Sequence, residues 1–187
     1  VADSHCHLDI RDGEESLDIA DALELAAEVG IDRVVQIGVD VESSRWSVQA
    51  ASEFPNVLAA VALHPNEAPR IAAEHGRAAL EAAWTEIAEL AKASRVRAIG
   101  ETGIAFFRTG EEGLAVQEES FRRHLQIAKD TDKAVVIHDR DAHDDVVRVL
   151  LSEGAPDKVV FHCFSGDAKL AAIAAEHGDS LALRHAE

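Results

Sequence analysis

Two histidines one residue apart, His5 and His7, open the chemistry of this chain. In an extended segment, residues two apart point to the same side, so both imidazoles can converge on one ion. Neutral imidazole is the commonest side-chain ligand for zinc and related metals. Three further candidates follow short apolar runs: Glu101 after Ala98-Ile99-Gly100, His138 after Ala134-Val135-Val136-Ile137, and His162 after Val159-Val160-Phe161. Singly, each has a plain structural reading as a strand-end polar pair, a capping acid or a satisfied core histidine. Together, four histidines and one glutamate in equivalent positions point to a metal centre. Five donors are too many for one tetrahedral zinc with an open position, and suit two divalent ions (Mg, Mn or Zn) bridged by Glu101. Two ions ~3.5–4 Å apart suit phosphate-ester hydrolysis, one activating water while both hold phosphoryl oxygens. Arg140, two residues past His138, points the same way and can bind a phosphate oxygen bidentately. His64, which precedes Pro65, is a candidate contact to a phosphate or a leaving group. Glu101, Arg140 and His64 are thus the candidate catalytic residues, with His64 and Arg140 on the substrate.

The remaining histidines, His75, His124, His143, His177 and His185, fall within helix patterns or loops and read as surface or structural. Cys6 lies between the two leading histidines, so it should face the opposite way, into the wall; neither it nor Cys163 reads as a nucleophile. The sequence holds no Ser-His-Asp order, phosphate-binding glycine loop or paired Cys-x-x-Cys.

The elements that must position these groups alternate along the chain. Short β-branched runs at Val34–Gly38, Val57–Leu63, Val96–Gly100, Ala134–Ile137 and Val159–Phe161 suit strands buried on both faces, and Val1–His5 adds a sixth. Between them lie helix patterns at Ile19–Val29, Ala78–Ala93, Glu118–Lys129, His143–Glu153 and Ala168–His177. Strands alternating with helices predict βα units and a parallel sheet, with active groups at the carboxyl ends of the strands. A closed (β/α)8 barrel takes about 250 residues. The 187 residues here, with six strands ending at His162, predict either such a barrel lacking its last strands or an open sheet.

Composition narrows the setting. With 35 acidic and 18 basic residues the formal charge is −17, and 47% of residues are hydrophobic. That fits a single globular domain over 1–187 and disfavours disorder. No stretch approaches the ~18 apolar residues of a membrane span. Residues 1–5 turn polar at once, so no secretory leader is expected. The acidity argues against a basic nucleic-acid surface, though not against nucleic acid handled at a metal site. Two cysteines make no disulfide framework, so a reducing cytoplasm is expected, with a monomer and no obligate protein partner.

Five blocks carry a family resemblance: Asp3-Ser4-His5-Cys6-His7-Leu8-Asp9, Leu63-His64-Pro65, Ile99-Gly100-Glu101-Thr102-Gly103, Val136-Ile137-His138-Asp139-Arg140 and Phe161-His162-Cys163-Phe164-Ser165-Gly166. In order and spacing they resemble the signature of the TatD family of metal-dependent deoxyribonucleases, from residue 1 to about 178. Gln117 and Phe121–Ala128 resemble the helix that family places before its fifth strand. The resemblance implies an amidohydrolase-like TIM barrel. It places His5 and His7 on one metal, Glu101 as bridge, His138 and His162 on the other metal, and His64 and Arg140 in the substrate cleft. There are two departures: Ala105 stands where the family's Glu-x-Gly-Leu-Asp has aspartate, and no Thr-Asp pair follows Gly178. The expected function is hydrolysis of phosphodiester bonds in DNA by a metal-activated water. Given the acidic surface, single strands or ends are the expected substrate, with exonuclease favoured over endonuclease. The rivals are a metallohydrolase of amides or esters and a non-catalytic metal-binding protein.

Overall fold

Seven short segments pair side by side in sequence order to form one parallel sheet. They are β1 (Ala2–Cys6), β2 (Arg33–Ile37), β3 (Val57–Val61), β4 (Val96–Ala105), β5 (Ala134–Arg140), β6 (Val159–Phe164) and β7 (Ser180–Leu183). The computed structural model describes residues 1–10, 18–106, 109–176 and 180–183. Helices fill the crossovers: α1 (Ile19–Glu28), α2 (Val41–Glu53), α3 (Glu67–His75), α4 (Arg77–Leu90), α5 (Glu111–Thr131), α6 (His143–Glu153) and α7 (Ala168–Glu176). The sheet curls toward a barrel. His5 on β1 stacks on His162 of β6 with ring centroids 3.5 Å apart, so strands five positions apart in sheet order meet across the interior.

Several elements differ from expectation. The segment after Gly178 adds a seventh strand parallel to β6, not a departure from the fold; Ser-Leu-Ala-Leu is too short to announce itself and takes its shape from the exposed edge of β6. α2 is held by local polar bonds, Asp40 Oδ1 accepting from the Ser43 amide at 2.7 Å and Ser43 Oγ accepting from the Asp40 amide at 3.0 Å. Its mixed face hides the helical period. α3 likewise went unseen, and α5 starts seven residues before the expected Glu118. β4 continues past Glu101 to Ala105, so Glu101 sits inside a strand rather than at its end. His162 is inside β6 in the same way.

Alternation along the strands sorts the core into two layers. Val34, Val57, Ala59, Val61, Val96, Ile99, Val135, Ile137, Val159 and Phe161 face outward onto the helices, where Leu80, Trp84, Ile87, Phe121 and Leu125 meet them. A much smaller inner cluster holds Ile37, Ala60, Ala98 and Val136. Full burial of a large aliphatic or aromatic side chain contributes about 1.5–3 kcal/mol, so the outer layer supplies most of the hydrophobic stabilisation. The alanines inside let the sheet curl around a narrow interior. Two residues beyond Val136 on β5 stands His138, and two beyond Val160 on β6 stands His162. The period of two thus carries both histidines onto the inner face, above the apolar plug.

Candidate metal centre

His5, Glu101, His138 and His162 are carried within strands, and His7 directly follows the end of β1. Asp3 Oδ1 accepts the His5 amide at 3.0 Å, and β1 shifts register against β2 between Asp3 and Cys6. Register also shifts between Ile99 and Thr102 around Glu101, and between Phe161 and Phe164 around His162. Such irregularities re-aim side chains next to active sites. Glycine is required beside Glu101 because a Cβ on Gly100 would lie 2.5 Å from the Val136 Cβ. Gly103 has φ of 142°, and a Cβ there would strike the His138 carbonyl.

The five expected ligands converge. Glu101 is 5% exposed, and its two oxygens divide the histidines. Oε1 lies 3.9 Å from both His5 Nε2 and His7 Nε2, while Oε2 lies 3.0 Å from His138 Nδ1 and 3.9 Å from His162 Nε2. The 3.0 Å contact is a direct hydrogen bond. The 3.9 Å separations are too long for one. His5 Nε2 and His7 Nε2 face each other at 3.2 Å, and the Nδ1 atoms of both are buried with no hydrogen-bond partner. Two three-donor sets have their donor atoms within 4.8 Å of one another among the described residues: His5, Glu101 and His162, which crosses this division, and His64, Glu101 and His138, which brings in His64. Glu101 belongs to both.

Protonation suits cation binding. Burial pushes the Glu101 carboxyl up, but the His138 hydrogen bond and the surrounding imidazoles outweigh it and bring it to about 2. Burial, then the neighbouring His162, lowers His5 to about 3. Burial, then His138, lowers His64 to about 4, and burial also lowers His162. At neutral pH His5, His64 and His162 are therefore neutral imidazoles beside one carboxylate, and the neutral ring is the form that can ligate a metal.

His64 stands over His138 with ring centroids 4.5 Å apart. Its Nδ1 accepts the Asn66 amide at 3.2 Å, so the neutral ring carries its proton on Nε2. Arg140 stands exposed at the end of β5, its carbonyl accepting the Phe106 amide at 3.0 Å. Ala105 lies beside it in register, its backbone clamped by Gln117 at 3.0 and 3.1 Å.

Residues with no metal-ligating pattern in the sequence hold these donors in place. Buried Gln36 accepts the Leu8 amide at 2.6 Å and donates to Asp9 Oδ1 at 2.7 Å, fixing the turn just after His7. Its signal was a lone polar residue in Val34-Val35-Gln36-Ile37. His124 is structural as expected: fully buried and lowered to about 4 by burial, it accepts the Leu63 amide at 2.9 Å and steadies the approach to His64. His143 is also structural, closing on buried Asp139 at 2.6 Å, and His75 lies on the surface beside Glu74. His177 and His185 lie outside the described residues. Cys6 points into the wall, its Sγ donating to the Val35 carbonyl at 3.4 Å, and burial followed by Asp3 and Asp9 pushes its thiol up to about 12. Among the described residues no helix is long and apolar enough to cross a membrane.

A parallel barrel with histidines and a glutamate gathered toward the carboxyl ends of its strands is the architecture of TIM-barrel metal-dependent hydrolases. The sequence profile of the family described as "TatD related DNase" matches residues 2–185, and the chain belongs to that family. It is 41% identical over 187 residues to the uncharacterised metal-dependent hydrolase TatD of Mycobacterium tuberculosis, covering 98% of this chain and 68% of that protein. It is 31% identical to the uncharacterised metal-dependent hydrolase YabD of Bacillus subtilis, covering 90% of this chain and 62% of that one. In fold it superposes on the crystal structure of YJJV, a TatD homologue from Escherichia coli, with a TM-score of 0.82 at 24% identity, covering 96% of this chain and 66% of that one. The chain therefore spans about two thirds of the length of these relatives.

Proposed function

We propose that this chain carries the metal-dependent phosphodiesterase centre of a deoxyribonuclease that acts on DNA single strands or ends, as an exonuclease. The observation that carries the reading is Glu101, an ionised, buried carboxylate with histidine nitrogens ranged on both of its oxygens. Divalent cations, two in this reading and of the Mg, Mn or Zn type, would supply Lewis acidity and acidify water there. His5 and His7, bridging Glu101, and His138 and His162 would hold them. His64 has its Nδ1 lone pair occupied by the Asn66 amide, which favours Nε2–H as a donor to a phosphate or leaving-group oxygen over a role as ligand. Arg140 would grip the phosphate bidentately from the end of β5. The description of the matching family as a DNase supports DNA over other phosphodiesters. The net charge of −17 gives little long-range attraction for a long duplex, which supports single strands or ends. Neither cysteine is joined in a disulfide, which accords with a reducing cytoplasm, and we read the chain as a monomer.

The test is hydrolysis of end-labelled single-stranded DNA with magnesium, manganese or zinc, beside chelator and a His5→Ala/His7→Ala variant. Cleavage that needs metal and is lost in the variant supports the reading. Equal cleavage in chelator defeats it. Turnover of amides or lactones but not of DNA would move the site to the amidohydrolase alternative.

A further inference from the structure

The floor of the barrel, at the amino ends of the strands, gathers a different kind of charge. Arg33 opens β2, and Arg95 and Arg97 flank the first residue of β4; all three line one cavity of about 250 Å3 with Pro55 and Leu58. Arg33 shares a strand face with Val35 and Ile37, which pack in the inner apolar cluster, so the cavity lies beneath that cluster, at the end opposite Glu101.

These arginines are exceptional in this acid-rich chain. Arg45, Arg70, Arg77, Arg122, Arg123 and Arg148 each lie within ion-pair distance of at least one glutamate or aspartate. Among the described residues Arg33, Arg95 and Arg97 pair with no carboxylate, and the lining holds none. Nearby Asp32 is turned to the Val1 amino group at 3.4 Å. Arg95 is fixed in place: its Nε donates to the Ala51 carbonyl at 3.2 Å and its Nη2 to the Pro55 and Val57 carbonyls at 2.6 Å each. Arg97 spends Nη1 on the Ser94 carbonyl at 2.7 Å, and among the described residues the Arg33 guanidinium has no hydrogen-bond partner. Each therefore keeps guanidinium N–H groups for a ligand.

We propose that this floor pocket is an anion site for a phosphate group, either inorganic phosphate or the phosphate of a mononucleotide. Convergent guanidinium forks bind tetrahedral oxyanions bidentately, and an Arg95 already locked by three carbonyls loses little freedom on binding. Pro55 and Leu58 provide an apolar wall. The inference stands apart from the proposed DNA hydrolysis, since none of its residues belongs to the metal centre.

The test is calorimetric titration of inorganic phosphate, and separately of a deoxynucleoside monophosphate, onto the chain and onto Arg33→Ala and Arg97→Ala variants. Hydrogen exchange, with and without phosphate, locates the site. Each arm is repeated in the His5→Ala/His7→Ala background, so that phosphate held at the metal centre is not counted. The proposal expects protection at residues 33–35 and 95–98 and at least tenfold weaker binding in each arginine variant, in both backgrounds. Equal affinity for the two ligands would show that phosphate alone is recognised; tighter nucleotide binding would show that the Pro55–Leu58 wall takes part. No saturable binding, protection confined to residues 138–140, or affinity unchanged by both arginine variants would overturn it. Arg33 is exposed and its side chain bonds to no other group among the described residues, so its variant should fold.

Discussion

The two ends of this barrel solve opposite electrostatic problems. At the carboxyl ends, a 5%-exposed Glu101 sits among imidazoles that burial holds neutral; at the amino ends, three guanidiniums face one open cavity with no carboxylate. The difference follows from water. Where solvent is excluded, an uncompensated charge costs too much, so the groups retained are neutral at working pH or matched to a countercharge. At the open floor solvent screens the cations until a ligand displaces it. One sheet thus carries a cation-seeking end and an anion-seeking end, separated by Ile37, Ala60, Ala98 and Val136.

The largest expected effect would break the comparison at one end only. His5→Ala/His7→Ala should lower metal-dependent DNA hydrolysis at least about a hundredfold, since even outer-sphere changes at metal sites cost 10–100-fold. Phosphate binding at the floor should survive. A variant that lost both would show the ends to be coupled, which gel assays and calorimetry on one preparation can decide.

Next in size is Gly103→Ala. With φ of 142° and the His138 carbonyl in the path of a Cβ, it should destabilise the fold by about 3 kcal/mol or more in urea melts. It should also disturb β5 under His138, so hydrolysis should fall further than the loss of folded protein explains.

The pH dependence tests the neutral imidazoles. His124 is lowered to about 4, so the folded state resists its protonation. Its contribution to stability is complete above the ordinary value of about 6.5 and is lost as pH falls from there through 4. His124→Gln, which keeps an acceptor for the Leu63 amide, should flatten the stability–pH slope in that window by up to about 1.4 kcal/mol per pH unit. An unchanged slope would mean that His124 does not resist protonation in the fold.

The smallest effects sharpen the floor. Arg95→Ala leaves three carbonyls short of a donor and should cost about 1–3 kcal/mol, whereas Arg33→Ala should stay within about 0.5 kcal/mol in thermal melts. That contrast separates an arginine that holds the fold from one available to a ligand.

Much of this was legible along the chain, for reasons tied to particular residues. Apolar runs ending in His138 and His162 announce buried strands with chemistry at one end, and His5-Cys6-His7 announces two ligands on one side with the cysteine in the wall. Glycines mark helix ends such as Gly30 and Gly154, both at positive φ. What stayed hidden depended on neighbours. β7 exists because β6 offers it an edge, and α2 because Asp40 and Ser43 cap each other's amides. Gln36 looks like a flaw in a strand until the turn at Leu8–Asp9 arrives to occupy both ends of its amide.

The sequence by itself determined which side chains could act, which face of each strand they would share, and the alternation that makes a parallel βα fold. Those properties follow from residue type and a period of two, which need no partner. Only the tertiary structure decided which histidines meet. The division of four imidazoles between the oxygens of Glu101, the stacking of His5 on His162, and the gathering of Arg33, Arg95 and Arg97 around one cavity depend on how far the sheet curls and where its register slips. Curl and register are set by packing between strands distant in sequence, and no local pattern encodes them.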